Sequence, residues 1–158
     1  MGKLKVRLAK KSELASVNDL RRQVHALHVK GRPDIFRRKF GKKLAAHIRT
    51  YFRGEMTRIV VAKSDGVICG YAVLEMIRRP RTPYNNARSF LKITEIGVDK
   101  LHRRKGVGRA LLEFIRHYAA ENGWNTVELD VWEFNSDALR FYESMGFTTY
   151  RRFLELKV

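Results

Sequence analysis

The sequence predicts a mixed α/β fold with elements in the order β-α-α-β-β-β-α-β-α-β. Three observations carry that expectation. Runs rich in Val and Ile cluster in the middle of the chain, at Arg58–Lys63, Val67–Ile77 and Leu91–Val98. Stretches with apolar residues three and four apart flank them on both sides, the spacing of amphipathic helices. A basic, glycine-bearing turn, Arg103-Arg104-Lys105-Gly106-Val107-Gly108, then separates the last of those runs from the clearest helical stretch in the chain.

Taken in order, Leu4, Val6 and Leu8 alternate within Lys3–Ala9 and read as a half-buried strand. Ser12 suits a helix N-cap, and Leu14, Val17, Leu20, Val24 and Leu27 follow at helical spacing up to Gly31-Arg32-Pro33. Asp34 is the expected cap of a second helix marked by Phe36, Phe40, Leu44, Ile48 and Phe52 and stopped at Gly54. Its other face is basic: Arg38, Lys39, Lys42, Lys43, Arg49 and Arg53. Ser64-Asp65-Gly66 is a hairpin signal between the first two β-branched runs. Residues 78–88 read as a loop long enough to be functional. The helix from about Gly106 to Asn122 presents Val107, Ala110, Leu111, Phe114, Ile115, Tyr118 and Ala119 on one stripe, with Gly123 behind it. Thr126–Val131 is a strand, Asn135-Ser136-Asp137 opens a short helix through Ser144, and Phe147–Leu156 is expected as a final strand or bent pair of strands.

The chain has 158 residues, a hydrophobic share of 44%, and no repeat or linker that divides it. One domain over 1–158, with its own core, is expected. Its single cysteine, Cys69, forms no internal disulfide and no cysteine zinc site, and points to a reduced, cytoplasmic setting. No stretch resembles a signal peptide or a membrane span, so no membrane partner is expected. The formal charge of +17 is uneven. Residues 1–60 carry 17 Lys and Arg against 4 acids, whereas residues 101–158 carry 9 against 8. Charge of that kind serves solubility and attraction to polyanions. It also leaves open a basic module that binds RNA, the ribosome or DNA, although no base-reading motif accompanies it.

A strand running into a glycine-bearing basic turn and then a helix places unpaired N–H groups beside positive side chains, a site suited to an anion such as diphosphate. It is neither a Walker A loop nor a dinucleotide fingerprint, because Leu111 stands where the third glycine would be. Alone, Gly-x-Gly is equally the mark of a turn that binds nothing. It does not stand alone. Ile96-Gly97-Val98 followed by Arg103-x-x-Gly106-x-Gly108 and an amphipathic helix closely resembles the acyl-coenzyme-A motif of the GNAT (Gcn5-related N-acetyltransferase) superfamily. Asn135-x-x-Ala138-x-x-x-Tyr142-x-x-x-Gly146-Phe147 resembles that family's next segment.

The resemblance implies a mostly antiparallel sheet splayed at strands 4 and 5. It also implies direct transfer of an acetyl group from acetyl-CoA to a primary amine in a ternary complex, without a metal. It assigns the diphosphate to Arg103, Arg104, Lys105, Gly106, Val107 and Gly108. The pantetheine arm falls to the main chain of Ile96 and Val98 and to Asn135. Tyr142 becomes the acid that serves the leaving thiolate, and Glu95 the base. Read from the residues alone, Tyr142 is equally a core aromatic, and Glu95 a solvated strand residue or the ion-pair partner of an arginine. The resemblance further places acceptor contacts in residues 25–40 and 78–90, where His28, Arg32, Asp34, Phe36 and Tyr84 are the candidates. A strongly cationic acceptor fits poorly unless Asp34, Glu75 or Glu95 cluster near the amine.

Expected partners are therefore an amine acceptor, small molecule or peptide, with a ribosomal or other protein N-terminus as one alternative and a homodimer as an optional assembly. His25 and His28 share a helix face, but no third ligand accompanies them. His102 adjoins the phosphate turn, Cys69 reads as a core residue, and Trp124 and Trp132 suit either core or cleft.

Overall fold

Alternation along the β-branched runs gives every central strand two apolar faces, so the sheet they form must be covered on both sides. The computed structural model describes residues 2–158 and has that architecture. One five-stranded sheet runs in the order β1 (Lys5–Leu8), β2 (Thr57–Ser64), β3 (Val67–Arg79), β4 (Arg88–Val98) and β5 (Val127–Leu129). The first four strands pair antiparallel and β5 joins β4 in parallel. The helices are α1 (Leu14–Gly31), α2 (Lys42–Arg53), α3 (Val107–Glu121) and α4 (Ser136–Ser144).

On one face, Val17, Leu20 and Ile48 from α1 and α2 pack on Ile59, Val61, Tyr71 and Val73. On the other, Val107, Leu111, Leu112 and Ile115 of α3 pack on Val60, Ala62, Ala72, Leu74, Leu91 and Ile93. Gly70 permits that approach, since a Cβ there would sit 2.7 Å from Val107 and 3.1 Å from Leu111. Asp65 (φ 48°) and Gly66 (φ 82°) turn the β2–β3 hairpin with two left-handed residues, the geometry that matches strand twist.

Two features of β4 position the site. The first is a bulge. Val73 pairs with Glu95 but Leu74 pairs with Ile93, so Thr94 is an extra residue. It resets the alternation: Leu91, Ile93, Ile96 and Val98 pack with the α3 layer, and Glu95 turns to the α1 side beside Tyr71. The second is the splay. The β4–β5 ladder runs only from Leu91/Val127 to Ile93/Leu129. Beyond it, Thr94–Val98 keep β3 on one edge and, among the described residues, have no strand on the other.

The structure departs from the expected elements in three places. The second helix begins at Lys42, not at Asp34. Pro33 and Gly41 bracket an irregular segment whose Phe36 and Phe40 rings turn onto His28 and His25. Ser12 lies inside a 3₁₀ turn and caps nothing. Glu13 does the anchoring instead, accepting from the Lys10 N–H at 2.8 Å and from both terminal nitrogens of Arg7 at 2.9 and 2.7 Å. Finally, Phe147–Leu156 forms no strand. Side-chain anchors to β5 and to the end of α1 hold this segment in place of a backbone ladder. The Tyr150 hydroxyl donates to Glu128 at 2.8 Å and Arg32 meets Glu155 at 2.8 Å, while Phe153, Leu154 and Leu156 stay exposed.

Candidate active site

Where β4 and β5 part, a cleft of about 960 Å³ opens. The free edge of β4 is one wall, the β4–α3 turn and the start of α3 the second, the first turns of α4 the third, and α1 closes the far side. Hydrogen-bond direction alternates along an antiparallel strand. The Asp99 N–H donates to the Cys69 carbonyl at 2.9 Å, which turns the Gly97 main chain toward β3 and that of Ile96 and Val98 toward the cleft. Arg103 Nε–H reaches the Val98 carbonyl at 3.4 Å on that open side.

The edge leads directly into the start of α3. Ala110 is the first residue of that helix whose N–H finds an intrahelical acceptor, the Gly106 carbonyl at 3.0 Å. The N–H groups of Val107, Gly108 and Arg109 are therefore the helix's orphan donors, at the positive end of its dipole. All three residues line the cleft, with Arg103 and Arg104 beside them. Gly106 turns the chain with φ 81°, and no atom lies within 4 Å of where its Cβ would stand. Gly108 has a different reason to lack a side chain: a Cβ would come within 3.1 Å of Phe141, so it lets α4 pack on α3. Lys105 is exposed and outside the lining.

Glu95 sits at the floor on the α1 side. Arg21 grips it bidentately, Nε to Oε2 at 2.8 Å and Nη2 to Oε1 at 2.9 Å, and the Tyr71 hydroxyl donates to Oε2 at 3.2 Å. Arg21 is 3% exposed and its remaining nitrogen donates to Asn18 Oδ1 and the Leu44 carbonyl, both at 2.9 Å. Burial works against the Arg21 charge, but the Glu95 hydrogen bonds outweigh it and hold the guanidinium proton more tightly than usual. The carboxylate accepts three hydrogen bonds of the roughly four its lone pairs allow, so one acceptor direction remains.

Tyr142 faces the cleft from α4, packed between Phe141 at 5.5 Å and Phe147 at 5.8 Å between ring centroids. Burial pushes its hydroxyl up to about 12, so it keeps its proton throughout the neutral range. Asn135 caps α4 by accepting from the Ala138 N–H at 3.3 Å, which occupies its oxygen and leaves its amide N–H₂ unengaged at the cleft wall.

Of the acceptor candidates, His28 lines the cleft and stacks on Phe36 at 5.0 Å. Asp34 and Tyr84 do not line it. Asp34 is tied to Arg32 at 2.7 Å on the surface, and Tyr84 is 94% exposed in the β3–β4 loop. His25 bonds the Arg37 carbonyl, His102 bonds Asp99, and no three His, Cys, Asp or Glu gather as a metal site among the described residues. Cys69 is buried in the core, where desolvation pushes its thiol up, and Trp124 is buried with it. No described helix is long and apolar enough to cross a membrane.

A model of the acetyltransferase (GNAT) family matches residues 34–147, which hold every wall of this cleft except α1. The chain belongs to the GNAT family. A tetramutant of the BH1408 protein from Bacillus halodurans has the same fold with a TM-score of 0.93, at 31% identity over 98% of this chain and 99% of its own. The N-acetyltransferase family 8 member 3 of Rattus norvegicus is 30% identical over 99 residues, 63% of this chain and 42% of its own length. The streptothricin acetyltransferase of Streptomyces lavendulae is 32% identical over 88 residues, 56% of this chain and 42% of its own length. This GNAT chain thus spans less than half the length of those two curated relatives.

Two residues of the GNAT cleft, Arg21 and Tyr71, which frame Glu95, are not singled out from the sequence; of the two tryptophans that suit core or cleft, Trp132 lines the cleft. A signal for Arg21 existed. Val17, Leu20 and Val24 place it on the buried stripe of α1, where a charge requires a partner of opposite sign.

Proposed function

We propose that this chain transfers an acetyl group from acetyl-CoA to a primary amine by direct attack within a ternary complex. The observation that carries the reading is the continuity of the free β4 edge at Ile96 and Val98 with the orphan N–H groups of Val107, Gly108 and Arg109. One surface offers strand-like pairing to an amide-bearing arm, and the next offers donors and arginines to a diphosphate. The residues present fit that ligand. Gly106 leaves its side open, the cleft has the volume for an arm and an acceptor together, and its turn is basic.

In this reading Arg103, Arg104 and Lys105 neutralise the phosphates and the Asn135 amide donates to the arm. Acetyl-CoA, when bound, supplies the thioester carbonyl that the amine attacks and the sulfur that leaves. The carbon–nitrogen bond forms as the carbon–sulfur bond breaks. Tyr142, which retains its proton, donates it to the departing sulfur. Glu95, fixed by Arg21 and Tyr71, uses its remaining acceptor direction to take the amine proton directly or through a water. His28 borders the acceptor, with Phe36 stacked behind it. Asp34 and Tyr84 contribute only by moving toward the cleft when an acceptor binds.

The test is to incubate the purified chain with acetyl-CoA and a mixed panel of small amines and peptides. Free thiol and a mass gain of one acetyl group on an acceptor are followed together. Thiol release matched by an acetylated product supports transfer. Absence of any acetylated product, with acetyl-CoA shown to bind, reduces the chain to an acyl-CoA-binding protein.

A further inference from the structure

The α1 side of the cleft is built from aromatic rings. His28 stacks on Phe36 with centroids 5.0 Å apart, and Phe36 meets the Trp132 ring edge to face at 5.2 Å. Trp132 stacks on Phe134 at 6.1 Å, and Phe134 returns to His28 at 6.1 Å. The four rings close a box. It is braced from behind, because Phe134 lies against the backbone of Gly31, where a Cβ would stand 2.4 Å from the ring. His28 and Trp132 line the cleft, while Phe36 and Phe134 support them. Trp132 is 36% exposed. Neither nitrogen of His28 has a hydrogen-bond partner among the described residues. Burial, helped by neighbouring His25, pushes that imidazole below its usual range and favours the neutral ring.

The charges beside the box point the same way. Three carboxylates line the cleft, and each already has a cation: Glu95 with Arg21, Asp130 with Lys92 at 2.7 Å, and Asp137 with Arg140 at 2.5 Å. Arg103, Arg104 and Arg109 line it with no carboxylate partner among the described residues. The Phe40 ring already carries Arg21 at 5.5 Å and Arg22 at 5.1 Å. Asp34 and Glu75, the other acids that could have served a cationic acceptor, stand outside the lining. A polyamine or an aminosugar would bring several ammonium groups to a wall whose four arginines, Arg21, Arg103, Arg104 and Arg109, outnumber its three carboxylates, and would leave the rings unmatched. A flat apolar body bearing a single amine meets both conditions, covering the exposed ring faces and placing one nitrogen toward Glu95.

We infer that the acceptor is an arylalkylamine-type compound, a primary amine on a short chain from an aromatic ring, seated against His28 and Trp132. This rests on the acetyl-transfer reading above and adds the substrate class. The aromatic body gives the binding energy, and the short chain delivers the nitrogen to the free acceptor direction of Glu95. Because Trp132 touches the acceptor and Phe36 holds His28 and Trp132 in place, one is a binding residue and the other a positioning residue.

The experiment compares kcat/KM for phenethylamine and tryptamine with that for butylamine, spermidine and kanamycin at saturating acetyl-CoA. Cofactor binding is measured on the same samples by calorimetry. The expected result is a preference for the aryl amines of at least about tenfold, the scale on which an apolar pocket discriminates. Trp132→Leu should raise KM for tryptamine by about tenfold while kcat and acetyl-CoA affinity stay put. Phe36→Leu should raise it less, and Phe36→Tyr should restore it. Turnover of spermidine or kanamycin above the aryl amines, an unchanged KM in Trp132→Leu, or acetylation of a peptide or another amine while no aryl amine is acetylated each overturns the substrate class and leaves the transfer reading standing. Failure to bind acetyl-CoA overturns both.

Discussion

Arg21 on α1 and Glu95 on β4 join two different elements through a two-pronged ion pair, with the arginine almost wholly buried and the carboxylate facing the cleft. The bulge at Thr94 makes the pairing geometrically available, since without it the strand's alternation would turn residue 95 to the opposite face. Removing one partner strands the other's charge. Arg21→Ala should therefore cost about 3–5 kcal/mol in urea unfolding. Replacing both partners by Met and Leu should cost distinctly less than the two single changes summed. Additive losses would mean that the pair carries no coupling.

Tyr142 hydroxyl removal separates chemistry from binding. With the proton retained up to about 12, the group is a donor at every physiological pH. Tyr142→Phe should lower kcat by about 100-fold or more, the range of a positioned acid, with acetyl-CoA affinity unchanged. Steady-state rates and calorimetry on one preparation decide it. Unchanged turnover reduces the residue to packing.

The same residue predicts alkaline behaviour. A tyrosine whose proton is held more tightly in the folded state stabilises the fold below its ordinary value, and that contribution is lost as pH rises through the folded value. Stability should therefore fall between about 10 and 12, with buried Tyr71 shifted in the same direction. Tyr142→Phe should flatten part of that fall in melting curves taken across this interval.

At the acid end the group to watch is Glu13. Its hydrogen bonds to Arg7 hold its carboxyl down to about 2, from an ordinary 4.5. Stability it confers is present above the ordinary value and is lost as pH falls toward the lower one. Melting temperature should decline through that window, and Glu13→Gln should make the decline shallower.

Gly106 isolates the backbone's share of the phosphate turn. Its φ of 81° suits only glycine, while the space around it is open, so Gly106→Ala meets no neighbour and adds only strain. The expected cost is about 1–2 kcal/mol of stability. Acetyl-CoA affinity should weaken with it, because relaxing φ re-aims the N–H groups that follow.

Local pattern was a good guide wherever it is what determines structure. The apolar stripe of α3, the Asp65-Gly66 hairpin and the β-branched runs each fold as their spacing implies, because burial of those faces leaves little choice. Arg103, Gly106, Gly108, Asn135 and Tyr142 could be picked out because they sit at fixed spacing on elements that local pattern also defines, and all five line the cleft. What escaped depends on partners far away in the chain. The fork on Glu95 needs a residue 74 positions earlier, and the bulge that aims it is one extra residue no periodicity reveals. Phe36 and Phe40 kept helical spacing from Leu44, yet their rings turn to α1 instead, and the helix starts after them. Apolar residues at Phe153, Leu154 and Leu156 imitate a strand while forming no ladder. The basic face of α2, with Lys42, Lys43, Arg49 and Arg53 exposed, lies away from the cleft walls.

Calorimetric titration of the purified chain with acetyl-CoA, accompanied by its thermal shift, tests acetyl transfer at its first requirement. The predicted result is saturable one-to-one binding with a dissociation constant between about 1 μM and 1 mM, and about 2.7 kcal/mol of added stability at a hundredfold excess over that constant. Joint replacement of Arg103 and Arg104 by Ala should weaken it. No heat and no rise in melting temperature above that concentration range would contradict the assignment of the β4 edge and the α3 turn to this ligand.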